Sequence, residues 1–320
     1  MNKQKVLQRF NALCNYLPGP VSAALLALKP ELKLQVQEIR LRAGLPLAVT
    51  VGGTQLFLLQ NGQQSYLFKP NCIILQKQQL QECFLNLCNH SVYAHQQELC
   101  EGYLMLPLGH RVGVCGTFVE QNGKITAVRD VSSLNIRIAK EVIGCSNSIL
   151  PSYNGESLLI CGGPGSGKTT LLRDVIRRLA GGAFQKSYRV SVIDSRGELA
   201  AVSGGIPTAD LGQTCDIIAG CPKSRGIEMA LRTQFPEVIA FDELGNLEEV
   251  EKILQSLSAG AAVITTAHAG SVNELGKRPA VLSLLQSGAI HKVLFCGPHF
   301  TYQSLNPGSL LQAPLAPVAV

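Results

Sequence analysis

Short apolar runs recur through the second half of the chain, each without the polar alternation of a half-exposed strand. Such runs are typical of parallel strands, which helices cover on both faces of the sheet. Helical segments alternate with them. The predicted strands are residues 157–161, 189–194, 237–242, 261–266 and 292–296. The pattern therefore predicts a three-layer α/β domain with a mostly parallel sheet.

The first half of the chain mixes helical and extended segments in another order. Predicted helices are residues 3–16, 20–35 and 76–90, and predicted extended segments are residues 46–59, 65–75 and 103–138. This order predicts a smaller, separate α+β domain.

Turn-forming residues are concentrated at 144–155, which predicts a boundary between the two domains. We expect the N-terminal α+β domain at residues 1–148 and the α/β domain at residues 149–310. The tail, residues 311–320, is rich in Pro and Ala and is expected to be poorly ordered.

Composition describes a globular chain, since 46% of its 320 residues are hydrophobic and 16% are charged. No apolar run approaches the ~20 residues of a membrane helix. The N-terminal residues are too polar for the apolar part of a signal peptide. We therefore expect a cytoplasmic protein.

The 11 cysteines form no C-x-x-C pair, so we interpret them as small buried hydrophobic residues and not as a metal site.

Positive charge is concentrated in the first half of the chain. Residues 1–150 contain 14 Lys and Arg against 8 Asp and Glu, whereas residues 151–320 contain 14 of each. Such an excess could face nucleic acid, an acidic partner or a membrane surface. The alternative, which an excess of this size favours, is an ordinary, mildly basic solvated surface.

The segment 162–169, GGPGSGKT, matches the phosphate-binding pattern G-x-x-x-x-G-K-[ST], with a predicted strand before it and a helical segment after it. Glycines let backbone amides surround phosphate groups, and the helix N-terminus adds positive partial charge. Lys168 would reach the β- and γ-phosphates, and the Thr169 hydroxyl would ligate Mg²⁺. The predicted nucleotide-binding residues are Gly162, Gly163, Pro164, Gly165, Ser166, Gly167, Lys168, Thr169 and Thr170.

Hydrolysis also needs a metal anchor and a group that positions water. The third predicted strand ends in Asp242, and Glu243 follows it. We assign Asp242 to the Mg²⁺ site and Glu243 to the attacking water. The alternative is an ordinary acidic cap after a strand.

Polar residues follow two further predicted strands. Thr266 and His268 at the end of the fourth strand are candidates to sense the γ-phosphate, if that strand lies between the loop strand and the Asp242 strand. Asp194 ends the second strand and Glu198 follows it, on the ligand-binding edge of such a sheet. They could hold water molecules of the metal or polarise the nucleophile. The alternatives are a histidine with ordinary hydrogen bonds and a helix start at Glu198.

Two arginines before Asp242, Arg225 and Arg232, could offset phosphate charge within the subunit or across a subunit interface. An exposed helix face is the equal alternative. No Asn-Lys-x-Asp tetrad, which would read guanine, occurs in the chain. ATP is therefore the expected nucleotide.

Together these residues resemble the secretion ATPases, the motors of type II and type IV secretion and pilus systems. The similarity lies in the phosphate loop, the stretch from Arg232 to Glu243 and the turn at 265–268. It is greatest to the sporulation branch of that family, the stage III sporulation protein AA proteins. Segments of the first half also resemble this branch, so the resemblance covers residues 35–300. The segments are residues 38–53, 109–113 and 132–138.

The resemblance implies a RecA-like ATPase fold, Mg²⁺-dependent ATP hydrolysis and a homo-hexamer with nucleotide sites between subunits. It also implies a cytoplasmic motor docked on membrane-embedded channel proteins, here between mother cell and forespore. Arginines of the first domain reach the nucleotide in this family, which makes Arg111 and Arg137 candidates. His268 falls where the family has its histidine box. Ser195 stands where its acidic box has a second acid, which predicts a weaker metal shell and slow turnover.

Two other functions fit the residues. A RecA-like nucleic-acid motor would use the basic first half, and its ATPase would respond to DNA or RNA. A nucleotide-dependent assembly switch with little hydrolysis would fit Ser195.

Overall fold

The computed structural model describes residues 3–106, 109–139, 142–151, 153–184, 186–203, 205–297 and 301–311. Contacts within the chain divide it into two compact units, Met1–Glu141 and Val142–Val320. Residues 312–320 of the predicted tail lie outside the described residues. Within the described ranges, every helix is too short or too polar to cross a bilayer.

The first unit combines helices with one seven-stranded antiparallel sheet. Its helices are α1 (Lys3–Cys14), α2 (Gly19–Leu26), α3 (Pro30–Gln35), α4 (Lys77–Leu87) and α5 (Gln96–Cys100), with a 3-10 turn at Val92–His95. Its strands are β1 (Val36–Arg42), β2 (Ala48–Val51), β3 (Thr54–Leu58), β4 (Gln64–Ser65), β5 (Tyr103–Met105), β6 (Arg111–Gln121) and β7 (Lys124–Arg137). The strand order is β4-β3-β2-β1-β7-β6-β5. The α+β class predicted for this half is confirmed.

Apolar alternation sets the two faces of this sheet. In β1, Ile39 and Leu41 are fully buried in a core that includes residues of α1, α2 and α4. Arg40 and Arg42 alternate with them and are partly exposed, because neighbouring side chains of a strand point to opposite faces.

Two predicted elements of the first unit differ in the structure. The single helix predicted at 20–35 is divided into α2 and α3, because Pro30 has no amide hydrogen to continue a helix and instead starts a new one. The extended segment predicted at 65–75 forms strand only at β4, and isolated bridges pair Ile74 with Pro46 and Cys72 with Leu59.

His110 is buried beside the first residue of β6, with 1% of its surface exposed. Its Nδ1 accepts a hydrogen bond from the amide of Ala139 at 3.1 Å. Burial lowers the pKa of His110 to about 4, because the charged form loses its hydration.

We expect acidification to destabilise the first unit through His110. The unfolded chain protonates this residue below pH 6.5, whereas the folded chain does so only near pH 4. The contribution of His110 to the free energy of unfolding is therefore complete above pH 6.5. It falls by about 3 kcal/mol as the pH drops from 6.5 to 4. Denaturant unfolding of the wild type and of His110→Asn across this range measures the effect. Asparagine keeps an acceptor for the amide of Ala139 but does not titrate. If the free energy of unfolding depended on pH equally in the two proteins, His110 would not be the titrating group.

The second unit is a seven-stranded sheet covered by helices on both faces. Its strands are β8 (Leu158–Gly162), β9 (Val190–Asp194), β12 (Cys215–Ala219), β13 (Val238–Phe241), β14 (Ala262–His268), β15 (Lys292–Cys296) and β16 (Tyr302–Leu305), and a small hairpin adds β10 (Val202–Ser203) and β11 (Ile206–Pro207). Its helices are α6 (Lys168–Ala180), α7 (Lys223–Thr233), α8 (Leu247–Ser258), α9 (Val272–Leu275), α10 (Pro279–Gln286) and α11 (Pro307–Leu311). The order β12-β9-β13-β14-β8-β15-β16 is parallel except for β16.

Alternate residues of each central strand face different helices. In β8, Leu158 and Ile160 belong to the core formed with α6, whereas Leu159 and Cys161 belong to the core formed with α7, α8 and α10. Both sets are fully buried, which explains the uninterrupted apolar runs. The predicted three-layer, mostly parallel fold is confirmed, and all five predicted strands occur.

The chain joins the second unit a few residues before the predicted boundary. The amides of Gly144 and Ser146 donate to the carboxylate of Asp174 in α6, at 2.7 and 2.8 Å. Arg177 binds the same carboxylate at 2.8 Å. Burial raises the pKa of Asp174, but these hydrogen bonds outweigh it and lower the pKa below its ordinary value. Residues 144–146 therefore pack with α6.

Candidate functional site

The phosphate-loop sequence joins β8 to the first turn of α6. A Cβ atom on Gly162 would lie 2.5 Å from the carbonyl oxygen of Cys296 and 2.6 Å from Oγ of Ser166, so only glycine fits. Gly167 has a φ of +90°, a left-handed conformation that favours glycine, immediately before the helix. The loop thus has backbone geometry that side chains would prevent.

Lys168, the first residue of α6, is 6% exposed and points its ammonium group into the site. Its Nζ donates to the carbonyl of Gly163 at 2.8 Å and lies 3.2 Å from Nδ1 of His268. Burial lowers the pKa of Lys168, opposed by the nearby Asp242 carboxylate. Because a lysine ammonium only donates, Nδ1 of His268 is the acceptor and the ring proton belongs on Nε2.

Strand order brings the acidic residues to the loop. β14 lies between β13 and β8, with His268 opposite Gly162 in register. The Thr169 hydroxyl donates to one oxygen of Asp242 at 2.7 Å, and the Thr266 hydroxyl donates to the other at 2.5 Å. The strand that carries Thr266 and His268 therefore lies between the loop strand and the Asp242 strand, as the predicted roles of these two residues require.

Glu243 is held at the same edge of the sheet in an unusual backbone conformation. Its φ is +60°, which is uncommon for a residue other than glycine and is often found at functional sites. Its amide donates to Oγ1 of Thr266 at 2.9 Å. Oε1 lies 3.8 Å from Nε2 of His268, and Oε2 lies 2.5 Å from a guanidinium nitrogen of Arg196.

Arg196 and Lys223 are site residues that the sequence analysis missed. Lys223 donates to the carbonyl oxygen of Glu243 and forms an ion pair with Glu249 at 3.1 Å. Arg196 lies between Asp194 and Glu198, two predicted site residues, so its position in the sequence is a signal that could have identified it. Lys223 carries no local signal, because only the packing of α7 brings it near Glu243.

Asp194 has a structural contact that limits its predicted role. Its carboxylate accepts hydrogen bonds from the amides of Glu198, Leu199 and Ala200, at 2.9, 3.2 and 2.8 Å. It is 3% exposed. Since both oxygens are engaged by backbone amides, Asp194 shapes the loop after β9. Its catalytic role, holding water molecules of the metal or polarising the nucleophile, stays a prediction.

Glu198 lines a solvent-open depression. The other residues that line it are Ile193, Asp194, Ser195, Arg196, Asp242 and Glu243. Glu198 thus shares a depression with the two acids after β13, and its catalytic role stays a prediction.

The structure separates Arg232 from the phosphate loop. Arg232 is in the last turn of α7, which precedes β13 and so ends at the opposite edge of the sheet from Asp242. Its side chain is 70% exposed and pairs with Glu228 at 2.7 Å, and Arg225 pairs with the same glutamate at 3.0 Å. Topology contradicts a role for Arg232 within its own subunit. A role across a subunit interface stays a prediction.

Arg111 and Arg137 belong to the first unit. They face each other in register on β6 and β7, and the Arg111 guanidinium lies 4.1 Å over the ring of Tyr103. Their predicted contact with nucleotide stays a prediction.

The donor set fits a nucleoside triphosphate with Mg²⁺. Oγ of Ser166 is buried in the loop and has no hydrogen-bond partner among the described residues. Gly165 and Gly167, both left-handed, carry no side chain next to the helix N-terminus, an arrangement suited to phosphate. The Thr169 hydroxyl and Asp242 carboxylate are oxygen ligands of the kind that Mg²⁺ prefers.

The comparisons with known proteins agree with the sequence resemblance. The family model "Sporulation stage III, protein AA" matches residues 9–301. Over 288 residues the chain is 33% identical to Stage III sporulation protein AA of Bacillus subtilis (strain 168). The aligned region covers 89% of this chain and 90% of that protein.

Two solved structures share the fold. The Legionella pneumophila ATPase DotB aligns with a TM-score of 0.55 at 17% identity, covering 93% of this chain and 88% of that chain. The pilus retraction motor PilT with bound ADP aligns with a TM-score of 0.56 at 18% identity, covering 88% and 83%. At these identities the likeness shows the fold alone, that of secretion-type ATPases. The family model matches most of the chain, and the chain is 33% identical to the Bacillus protein over most of both sequences. The chain therefore belongs to the sporulation stage III protein AA family.

Proposed function

We propose that this protein is a Mg²⁺-dependent ATPase that converts ATP and water to ADP and phosphate. The observation that supports this best is the convergence of Lys168, Thr169, Asp242, Glu243 and His268 at one edge of the sheet, within the contacts given above. ATP is the expected nucleotide because the chain has no guanine-reading tetrad.

The residues divide the reaction between them. Bound ATP and Mg²⁺ would supply the scissile phosphoanhydride bond and neutralise charge on the phosphates. Lys168 binds the β- and γ-phosphates, and Thr169 and Asp242 hold the metal. Glu243 orients the attacking water and takes its proton. His268 touches both Lys168 and Glu243, so it links phosphate binding to the water-positioning group.

Hydrolysis in this proposal drives movement. The protein would assemble as a homo-hexamer, with Arg111, Arg137 and Arg232 reaching nucleotide at subunit interfaces. It would act in the cytoplasm, docked on membrane-embedded channel proteins, and energise a channel between mother cell and forespore. The family membership and the fold shared with DotB and PilT support this assignment.

A nucleotide-dependent assembly switch is the second candidate, and Ser195 favours it. This serine lines the depression beside Asp242 and Glu243, where the family's acidic box has a second acid. A switch would bind ATP and change its assembly without releasing phosphate.

One experiment tests both candidates. We expect the full chain to release phosphate from ATP when Mg²⁺ is present. Phosphate release should stop when EDTA removes the metal. Light scattering with and without ATP measures the mass of the assembly in the same samples. An ATP-dependent change of mass without phosphate release would favour the switch. Stimulation by DNA, weakened by salt, would instead favour the nucleic-acid motor.

A further inference from the structure

Arg196 lies on a short loop that Asp194 holds in place. The three amides that donate to the Asp194 carboxylate belong to residues 198–200, so the chain turns back directly after β9. β9 and β13 are parallel neighbours, with Ile193 opposite Phe241. The loops that carry Arg196 and Glu243 therefore leave the same edge of the sheet side by side.

The backbone of Glu243 is fixed from two sides. Oγ1 of Thr266 accepts its amide hydrogen, and Nζ of Lys223 donates to its carbonyl oxygen. The left-handed φ of +60° persists because these contacts hold it. The direction of the side chain is the remaining freedom of this residue.

The two carboxylate oxygens of Glu243 face different partners. Oε2 is engaged by Arg196 at 2.5 Å. Oε1 lies on the side of His268, whose other ring nitrogen contacts Lys168. An arginine on one oxygen thus leaves the other directed toward the place where Lys168 would hold the γ-phosphate.

We propose that Arg196 is a positioning residue that orients Glu243 for its work on the attacking water. This inference rests on the proposed ATPase function and adds a residue that acts through Glu243 without touching ATP. The side chains of Arg196 and Glu243 are 63% and 33% exposed. Exposed ion pairs contribute little to stability, so the contribution of Arg196 lies in orientation.

The test compares Arg196→Ala, Arg196→Lys and the control Arg189→Ala in the full chain. The control removes an arginine of similar exposure that also pairs with a glutamate, Glu237, but directly before β9, at the far edge of the sheet. We expect Arg196→Ala to lower kcat about 10- to 100-fold, since small misplacements of reacting groups have effects of that size. Its KM, its affinity for a fluorescent ATP analogue and its unfolding midpoint should match the wild type. Arg196→Lys should recover part of the lost rate, because a lysine keeps the charge but not the forked geometry.

Several results would overturn this inference. An unchanged or increased kcat in Arg196→Ala would show that Glu243 needs no such hold or is restrained by it. A parallel loss of ATP affinity would make Arg196 a nucleotide contact. A lysine variant as slow as the alanine variant would contradict a hold based on charge. If the wild type and Arg189→Ala are both inactive, the ATPase proposal fails together with the inference. If both are active and Arg196→Ala equals them, only the inference fails.

Discussion

Replacing Glu243 by glutamine is expected to lower phosphate release by about 100-fold or more, because a general base typically contributes 10²- to 10⁴-fold to a rate. Glutamine has the same shape and can still accept a hydrogen bond from Arg196, but it cannot take a proton from water. ATP binding depends on the loop and Lys168, so the variant should retain ATP without hydrolysing it. Phosphate release and retention of labelled ATP after gel filtration measure the two effects.

Glu248→Gln is the control for this variant. Glu248 is an exposed carboxylate in the first turn of α8, five residues along the chain, and its replacement should leave turnover unchanged. Normal phosphate release by Glu243→Gln would remove Glu243 from the mechanism. Loss of ATP binding in that variant would instead make it part of the binding site.

Replacing Lys168 by alanine is expected to abolish turnover and to weaken ATP binding. The ammonium group is buried, lies next to the loop carbonyl of Gly163 and is the cation that would meet the β- and γ-phosphates. We expect the affinity for a fluorescent ATP analogue to fall about 10-fold or more, since hydrogen bonds to charged groups contribute about 1.5–3 kcal/mol. Titration with the analogue and a phosphate-release assay measure both losses.

Lys277→Ala provides the comparison, because Lys277 is an exposed lysine between α9 and α10 in the same unit. This variant should bind and turn over like the wild type. Full activity in Lys168→Ala would count decisively against the phosphate loop as the site of reaction.

The five strands predicted in the second unit are the contiguous centre of its sheet. The pattern did not predict β12 and β16, which are the two outermost strands of the sheet. Central strands are buried on both faces and so consist of uninterrupted apolar residues, whereas β12 is half-exposed along its length. A pattern search for apolar runs therefore finds the centre of a parallel sheet and overlooks its edges.

The candidate site was predictable where its chemistry is local. Lys168 and Thr169 are part of one contiguous motif, and Asp242 and Glu243 follow one apolar strand. Their contact across 73 residues also followed from the fold, since parallel strands bring their carboxyl ends to one edge. For Arg232 the sequence left open a role within the subunit or across an interface, because distance along the chain from Asp242 does not reveal that α7 ends at the opposite edge of the sheet.

The α/β class, the central strands, the phosphate loop and the acids that accompany it could be predicted from the sequence, because periodicity and contiguous motifs involve neighbouring residues. Three features became visible only in the folded chain: the contacts of Asp194 with its loop, those of Arg196 and Lys223 with Glu243, and the position of His268 between Lys168 and Glu243. Those contacts depend on side-chain directions and on the packing of elements distant in the chain, which no local pattern records.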